Sequence, residues 1–137
     1  MKILVAHRQR QIVEAIRSVL SSINPVVLYS ESGLDGLLTS RIEHFDVIIC
    51  GTDLPVVTGF EMVRSLRTNS INRHTPVVFL AKEPSEPMLS LCRALNAVAV
   101  MEDHELHSQL APLIKDRVTC TPDQAWEPLS APVRSLY

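Results

Sequence analysis

The sequence predicts an α/β fold in which helices cover both faces of a doubly wound parallel sheet. Short apolar runs alternate along the chain with stretches in which apolar residues recur every three or four positions, the patterns of strand and helix respectively. The runs are apolar throughout, as expected for strands that are buried on both faces. Five βα units joined by right-handed crossovers give a flavodoxin-like (βα)5 sheet with strand order 2-1-3-4-5.

The strands and the first four helices follow from these patterns. The five strands are predicted at Lys2–Ala6, Val26–Tyr29, Val47–Cys50, Val77–Leu80 and Val98–Met101. The four helices are predicted from the spacing of Ile12, Val13, Ile16, Val19, Leu20 and Ile23; of Leu34, Leu37, Leu38 and Ile42; of Phe60, Val63 and Leu66; and of Met88, Leu91, Cys92 and Leu95. Ser85 is the expected N-cap of the fourth helix, with Pro87 in its first turn.

A fifth helix and a tail complete the prediction. The helix is expected to begin near Asp103 and to turn Leu106, Leu110, Leu113 and Ile114 inward. Pro112 should kink or end it, because proline removes one backbone hydrogen bond. We expect residues 1–115 to form one domain, since periodicity stops there. Residues 116–137 contain three prolines and the lone Trp126, which is typical of a tail or linker.

Composition excludes several functional classes. The 137 residues carry a net charge of −2 with scattered basic residues, so we expect no direct nucleic-acid binding by this domain. No apolar run approaches the length of a membrane helix, and we expect no membrane insertion. The three cysteines show no metal or disulfide spacing, which favours a reducing, cytoplasmic location.

Residues 46–59 resemble the middle of a response-regulator receiver domain (CheY-like). In that family a buried strand ends in a phosphorylatable Asp, and a Pro-x-x-x-Gly turn follows before the next helix. The strand Val47–Cys50 is present here, and so are Pro55 and Gly59 of the turn. The resemblance covers roughly residues 1 to 115 and implies a role in two-component signalling.

The positions that carry the family's chemistry hold other residues. Gly51 stands where the resemblance places the phospho-acceptor Asp. His7 and Arg8 stand where the family has the acidic pair that holds Mg²⁺. The hydroxyl residue of the fourth strand, the aromatic switch residue of the fifth and the following Lys correspond to Ala81, Val100 and Asp103. The resemblance therefore implies a degenerate pseudo-receiver that is not an enzyme and uses no cofactor or metal.

Nearby acids and bases leave alternatives open. We expect Asp53 to be a turn or helix-capping residue rather than a substitute phosphate acceptor. Arg8 is expected to pair with Glu102 or Asp103, which would replace a metal-centred network. The alternative is an open basic pocket, made by His7 and Arg8, that binds an anion or nucleotide without a glycine-rich loop.

Two histidines near the start of the fifth helix are a weaker candidate site. His104 and His107 are three residues apart, but no third strong metal ligand accompanies them. We therefore interpret both as solvated helix residues.

The leading hypothesis is a phosphorylation-independent module for protein interaction or dimerisation in bacterial signalling. Receiver-like domains commonly use the face formed by helix 4, strand 5 and helix 5. The candidate contact residues on this face and the tail are Leu89, Arg93, Val100, Glu105, His107, Gln109 and Trp126. Alternatives are a ligand sensor, with the anion or nucleotide in the His7/Arg8 pocket, and the N-terminal regulatory domain of a larger transcription factor or localisation protein.

Overall fold

A computed structural model describes residues 1–68, 70–83, 85–101, 106 and 108–114. These residues form one parallel sheet of five strands in the order β2-β1-β3-β4-β5. The strands are β1 Lys2–Ala6, β2 Val26–Ser30, β3 Val47–Gly51, β4 Val77–Ala81 and β5 Val98–Met101. The predicted fold class and strand order are confirmed, and β2, β3 and β4 each end one residue later than predicted.

Helices follow the strands in the predicted order. They are α1 Arg10–Val19, α2 Gly33–Ile42, α3 Gly59–Thr68 and α4 Glu86–Ala94, followed by helical residues 106 and 108–114, which we label α5. Ile23, predicted as part of the first helix, lies instead in a separate 3-10 turn over Ser21–Ile23. Ser85 caps α4 as predicted, because its hydroxyl oxygen accepts a hydrogen bond from the Met88 N–H.

The sheet separates two apolar clusters. One lies against α1 and α5 and includes Ile16, Ile49 and Leu110. The other lies beneath α2, α3 and α4 and includes Phe45, Phe79 and the two thiols Cys50 and Cys92. Burial raises the pKa of both thiols, most strongly that of Cys50, so they behave as small core residues.

The inward residues of α5 agree with the prediction. Leu106, Leu110 and Ile114 are buried and Leu113 packs against the first cluster. The helix continues through Pro112 to residue 114, so this proline does not end it. The predicted start near Asp103, the third cysteine Cys120 and the proposed tail 116–137 lie outside the described residues.

Two polar side chains, Asn72 and the half-buried Arg67, stabilise the amino-terminal edge of the sheet. Asn72 is fully buried; its amide oxygen accepts from the Phe45 N–H at 2.8 Å, and its NH₂ donates to the Glu43 carbonyl at 2.8 Å. The guanidinium of Arg67 donates to five backbone carbonyls, among them those of Thr75 at 2.7 Å and Leu95 at 2.8 Å. These bonds connect α3 to the segments that precede β4 and β5. They leave the carboxyl edge of the sheet open.

Candidate functional site

A cleft of about 520 Å³ opens at the carboxyl edge of β1, β3 and β4. Ligands of doubly wound sheets bind at this edge. Five residues singled out from the sequence line it, namely His7, Arg8, Gly51, Asp53 and Ala81. The structure therefore brings most of the predicted site positions together.

The strand register explains why His7 lies beside Gly51. Ala6 of β1 pairs with Cys50 of β3, so the next residues of the two strands, His7 and Gly51, come level at the sheet edge. The His7 N–H donates to the Ser30 carbonyl at 3.0 Å, which continues the β1–β2 pairing. Its Nδ1 atom accepts from the Gln9 N–H at 3.0 Å. This contact with Gln9 was not predictable from the sequence, because it requires a particular orientation of the His7 ring.

The His7 imidazole occupies the space into which a side chain at position 51 would extend. A Cβ atom built on Gly51 would lie 3.0 Å from Cδ2 and 3.3 Å from Nε2 of His7. Carbon atoms in good contact are separated by about 3.5–4.0 Å. His7 is buried but also lines the cleft, so a Cβ at position 51 requires the imidazole to shift by a few tenths of an ångström. Glycine at position 51 and histidine at position 7 are therefore complementary in shape.

The turn after β3 is fixed by a second glycine. A Cβ on Gly59 would lie 2.1 Å from the Gly51 carbonyl oxygen, so no other residue fits without a backbone shift. Helix α3 then begins with a capping box: the Thr58 N–H donates to the Glu61 carboxylate at 3.0 Å, and the Glu61 N–H donates to Thr58 Oγ1 at 3.2 Å. The glycine of the Pro-x-x-x-Gly pattern is thus required by the close approach of the backbone at residue 51.

Arg8 forms an ion pair that the sequence analysis did not predict. Its Nη1 atom lies 2.7 Å from the Asp53 carboxylate at the mouth of the cleft. Both side chains are largely exposed, so the pair contributes at most about 1 kcal/mol. Asp53 was expected only as a turn or capping residue. The expected acidic partners Glu102 and Asp103 lie outside the described residues, so that pairing stays a prediction.

Among the described residues that line the cleft, the carboxylates are those of Asp53 and Glu83. Mg²⁺ takes hard oxygen ligands in octahedral geometry. Within the described ranges, no group of three or more His, Cys, Asp or Glu side chains is placed to hold a metal ion. The Asp53 carboxylate is paired with Arg8, and the described acid Glu83 shares the cleft with Lys82.

The candidate interaction face is only partly exposed. Arg93 and Gln109 are exposed as expected. Val100 was placed on this face, but it is 3% exposed and lies in the apolar cluster that α5 covers; this assignment was wrong. The orientation of α4 about its axis differs from the prediction. Leu91, expected to face inward, is exposed, whereas Leu89, expected on the interaction face, is half-buried.

The other candidate residues of that face cannot be placed. Glu105, His107 and Trp126 lie outside the described residues, as does His104.

Among the helices that the structure describes, none is long and apolar enough to cross a membrane.

Comparison with known proteins identifies the family. The response regulator receiver domain matches residues 3–102, well over half of the chain. The chain belongs to this family, and the resemblance read from residues 46–59 is confirmed at that level. It is therefore the receiver domain of a response regulator, a class of signalling module.

Individual relatives are distant. The chain is 26% identical over 81 residues to the cell cycle response regulator CtrA of Brucella ovis, a match that covers 59% of this chain and 34% of that protein. It thus spans about a third of the length of that relative. Chemotaxis protein CheY4 of Vibrio cholerae is similar in structure, with a TM-score of 0.73 and 26% identity over 83% of this chain and 96% of that one.

A third relative supports the fold alone. A CheY-like receiver domain from Methanospirillum hungatei gives a TM-score of 0.80 at 15% identity, covering 90% of this chain and 98% of that one. The backbone architecture of receiver domains is thus retained at sequence identities that carry no information on the site.

Proposed function

We propose that this chain is a pseudo-receiver that acts by protein contact and independently of phosphorylation. The observation that carries the proposal is the packing of His7 against Gly51, where a Cβ would lie 3.0 Å from the imidazole. If Gly51 occupies the acceptor position, the nucleophile is absent and a side chain there would press on His7. Loss of chemistry with retention of the fold favours a binding role over an enzymatic one.

The charges of the cleft support the same interpretation. Acyl-phosphate formation needs a carboxylate nucleophile and a bound cation to offset the phosphate charge. Here Asp53 is the acid nearest to Gly51 in sequence, and its carboxylate is paired with the Arg8 guanidinium at 2.7 Å. The Arg8 cation thus offsets the Asp53 carboxylate, and the pair as a whole is neutral.

The ligand-sensor alternative has weaker support. The cations Arg8 and Lys82 share the cleft with the anions Asp53 and Glu83, so positive charge is not concentrated as an anion site requires. The division into a domain at 1–115 and a tail at 116–137 also remains a proposal, as does a place at the N-terminus of a larger regulator. We propose a protein partner in a signalling pathway, with no cofactor.

Intact-mass spectrometry after incubation with phosphoramidate and Mg²⁺ tests the proposal. We expect the full chain to gain no phosphoryl group. Gly51→Asp alone should also fail, because the new side chain meets His7 and the cleft retains Arg8. A base-labile phosphoryl adduct on Asp53 of the wild-type chain would overturn the proposal.

A rebuilt variant provides the positive control. It combines His7→Asp, Arg8→Asp, Gly51→Asp, Ala81→Thr and Asp103→Lys, which restores the side chains that the family uses. Phosphorylation of this variant, together with none in the wild type, assigns the loss of chemistry to these positions. Urea unfolding of both proteins establishes that each is folded.

A further inference from the structure

We propose that the outer face of α2 is a self-association surface that binds a second copy of this chain. Three apolar side chains follow this face at positions i, i+4 and i+8. Leu34, Leu38 and Ile42 are 40%, 54% and 79% exposed. We call them the α2 stripe. Side chains with this spacing lie one above another on the same face of a helix.

The stripe is exposed because α2 packs onto the domain through small residues. Gly33, Gly36 and Ser40 are its buried positions. A Cβ on Gly33 would lie 1.7 Å from the Val57 carbonyl oxygen, and one on Gly36 would lie 2.9 Å from the Met62 sulfur. Of the four large apolar residues of α2, only Leu37 packs on the domain, and it is half-buried. A surface helix normally turns its large apolar residues inward, so the outward position of the other three indicates a partner on the outer side of α2.

The apolar surface continues beyond both ends of the helix. At the amino end of α2, the Gly33 N–H donates to the Pro55 carbonyl at 3.3 Å. Val56, which follows Pro55 in the chain, is 80% exposed. At the carboxyl end of α2, the Asn72 NH₂ donates to the Glu43 carbonyl. Ile71, which precedes Asn72 in the chain, is 51% exposed. These two residues and the α2 stripe are five of the eight exposed large hydrophobic residues in the described ranges. Concentrated apolar exposure of this kind marks interaction sites.

The charges beside the stripe favour a second copy as the partner. With 3.6 residues per turn, Asp35 and Arg41 fall on opposite flanks of Leu38, each 60° from it. A twofold axis parallel to the stripe brings the Asp35 flank of one copy against the Arg41 flank of the other, with the two residues about 9 Å apart along the helix axis. An antiparallel arrangement would bring flanks of like charge together at the same offset. The face is therefore complementary to itself in a parallel twofold pair, the isologous contact of most dimers.

Arg41 can join such a contact at little cost. Its Nη2 atom donates to the neutral Ser65 hydroxyl at 2.9 Å, and the residue is exposed. Exchange of a hydroxyl for a carboxylate partner strengthens the hydrogen bond, because charge-assisted bonds are the stronger ones. Since α2 has only ten residues, the contact is smaller than standard interfaces, and we expect a weak, concentration-dependent dimer.

The α2 dimer rests on the proposed contact function and names its partner as a second copy of the chain. It also places the contact surface on α2 rather than on the α4–β5–α5 face. The two can fail separately. Phosphorylation is read from mass, whereas self-association is read from the oligomeric state. A phosphorylated chain that still dimerises through α2 would overturn only the pseudo-receiver, and an unphosphorylated monomer would overturn only the dimer.

Sedimentation velocity of the full chain over a wide concentration range tests the surface. We expect a monomer–dimer equilibrium that Leu38→Glu weakens by at least about tenfold, since it places like charges at the twofold axis. The matched control is Leu91→Glu, because Leu91 is 47% exposed on α4 and away from the stripe. This control should leave the equilibrium unchanged.

A charge exchange tests the proposed arrangement directly. Asp35→Arg and Arg41→Asp should each weaken the dimer, and the double variant should recover most of the loss. Thermal unfolding of each variant establishes that the fold is retained. A wild-type chain that stays monomeric at every concentration would overturn the proposal. So would a dimer that Leu91→Glu disrupts and Leu38→Glu does not.

Discussion

Replacement of Gly51 by alanine measures how tightly His7 packs against position 51. The added Cβ would lie 3.0 Å from Cδ2 and 3.3 Å from Nε2 of the imidazole. Overpacking of a filled site costs about 1–3 kcal/mol. Loss of glycine flexibility in the unfolded chain offsets about 0.4–1 kcal/mol of this cost where the backbone is compatible. Gly51 has no positive φ, so backbone strain adds nothing. We expect a net loss of about 0.5–2 kcal/mol in the free energy of unfolding.

The same substitution should behave differently once the imidazole is removed. In a His7→Ala background the Cβ enters open space, and Gly51→Ala should become neutral or slightly stabilising. Urea unfolding of the wild type, both single variants and the double variant gives the coupling free energy between the two positions. We expect a coupling of about 1–2 kcal/mol, of the size found for residues in contact. An equal cost of Gly51→Ala in both backgrounds would refute the packing argument.

Two further predictions concern stability away from the cleft. Arg67→Met should lower the free energy of unfolding by about 1–3 kcal/mol, because three part-buried carbonyls and two exposed ones lose a charged donor. Arg64→Met, on the same helix but exposed, should cost less than about 0.5 kcal/mol by the same urea assay. Equal costs of the two substitutions would contradict the role of Arg67. The hydrogen bonds that Glu61 accepts from Thr58 lower the pKa of its carboxyl. Its contribution to stability is therefore present above the unfolded pKa of about 4.3 and is lost as the pH falls through the lower folded pKa. The difference in urea midpoint between wild type and Glu61→Gln should thus shrink from pH 7 to pH 3, and a difference independent of pH would exclude the ionised cap.

The strands could be predicted from the sequence because their physical signal is simple. Val47–Cys50 and Val77–Leu80 are apolar throughout and buried on both faces, so length and composition identify them. Helix α2 shows where the signal ends. Its apolar residues predicted a helix, but its fully buried residues are Gly33, Gly36 and Ser40, and of its four large apolar residues only Leu37 packs inward. Small residues that allow close packing have no weight in a hydrophobic pattern, so the orientation of α2 was not predictable.

The candidate site was predictable in position but not in its contacts. The order β2-β1-β3 places the residues after β1 beside those after β3, which is why Arg8 and Asp53 meet. Extending the pairing of Ala6 with Cys50 by two residues brings Arg8 level with Thr52, so its neighbour Asp53 was a nearer candidate partner than Asp103. The packing of His7 on Gly51 depends on a side-chain rotamer fixed by the Gln9 N–H. No pattern in the sequence encodes that choice.

The most direct test of the pseudo-receiver is an NMR titration of the ¹⁵N-labelled full chain. Mg²⁺ is added first, and then beryllofluoride, a mimic of the phosphoryl group. The amide resonances of Gly51, Thr52 and Ala81 report on the cleft, since all three residues line it. We expect these resonances to stay in place, while those of the rebuilt variant move. Saturable shifts of the three wild-type resonances would show that the cleft accepts the ion and the phosphoryl mimic, and would contradict the pseudo-receiver.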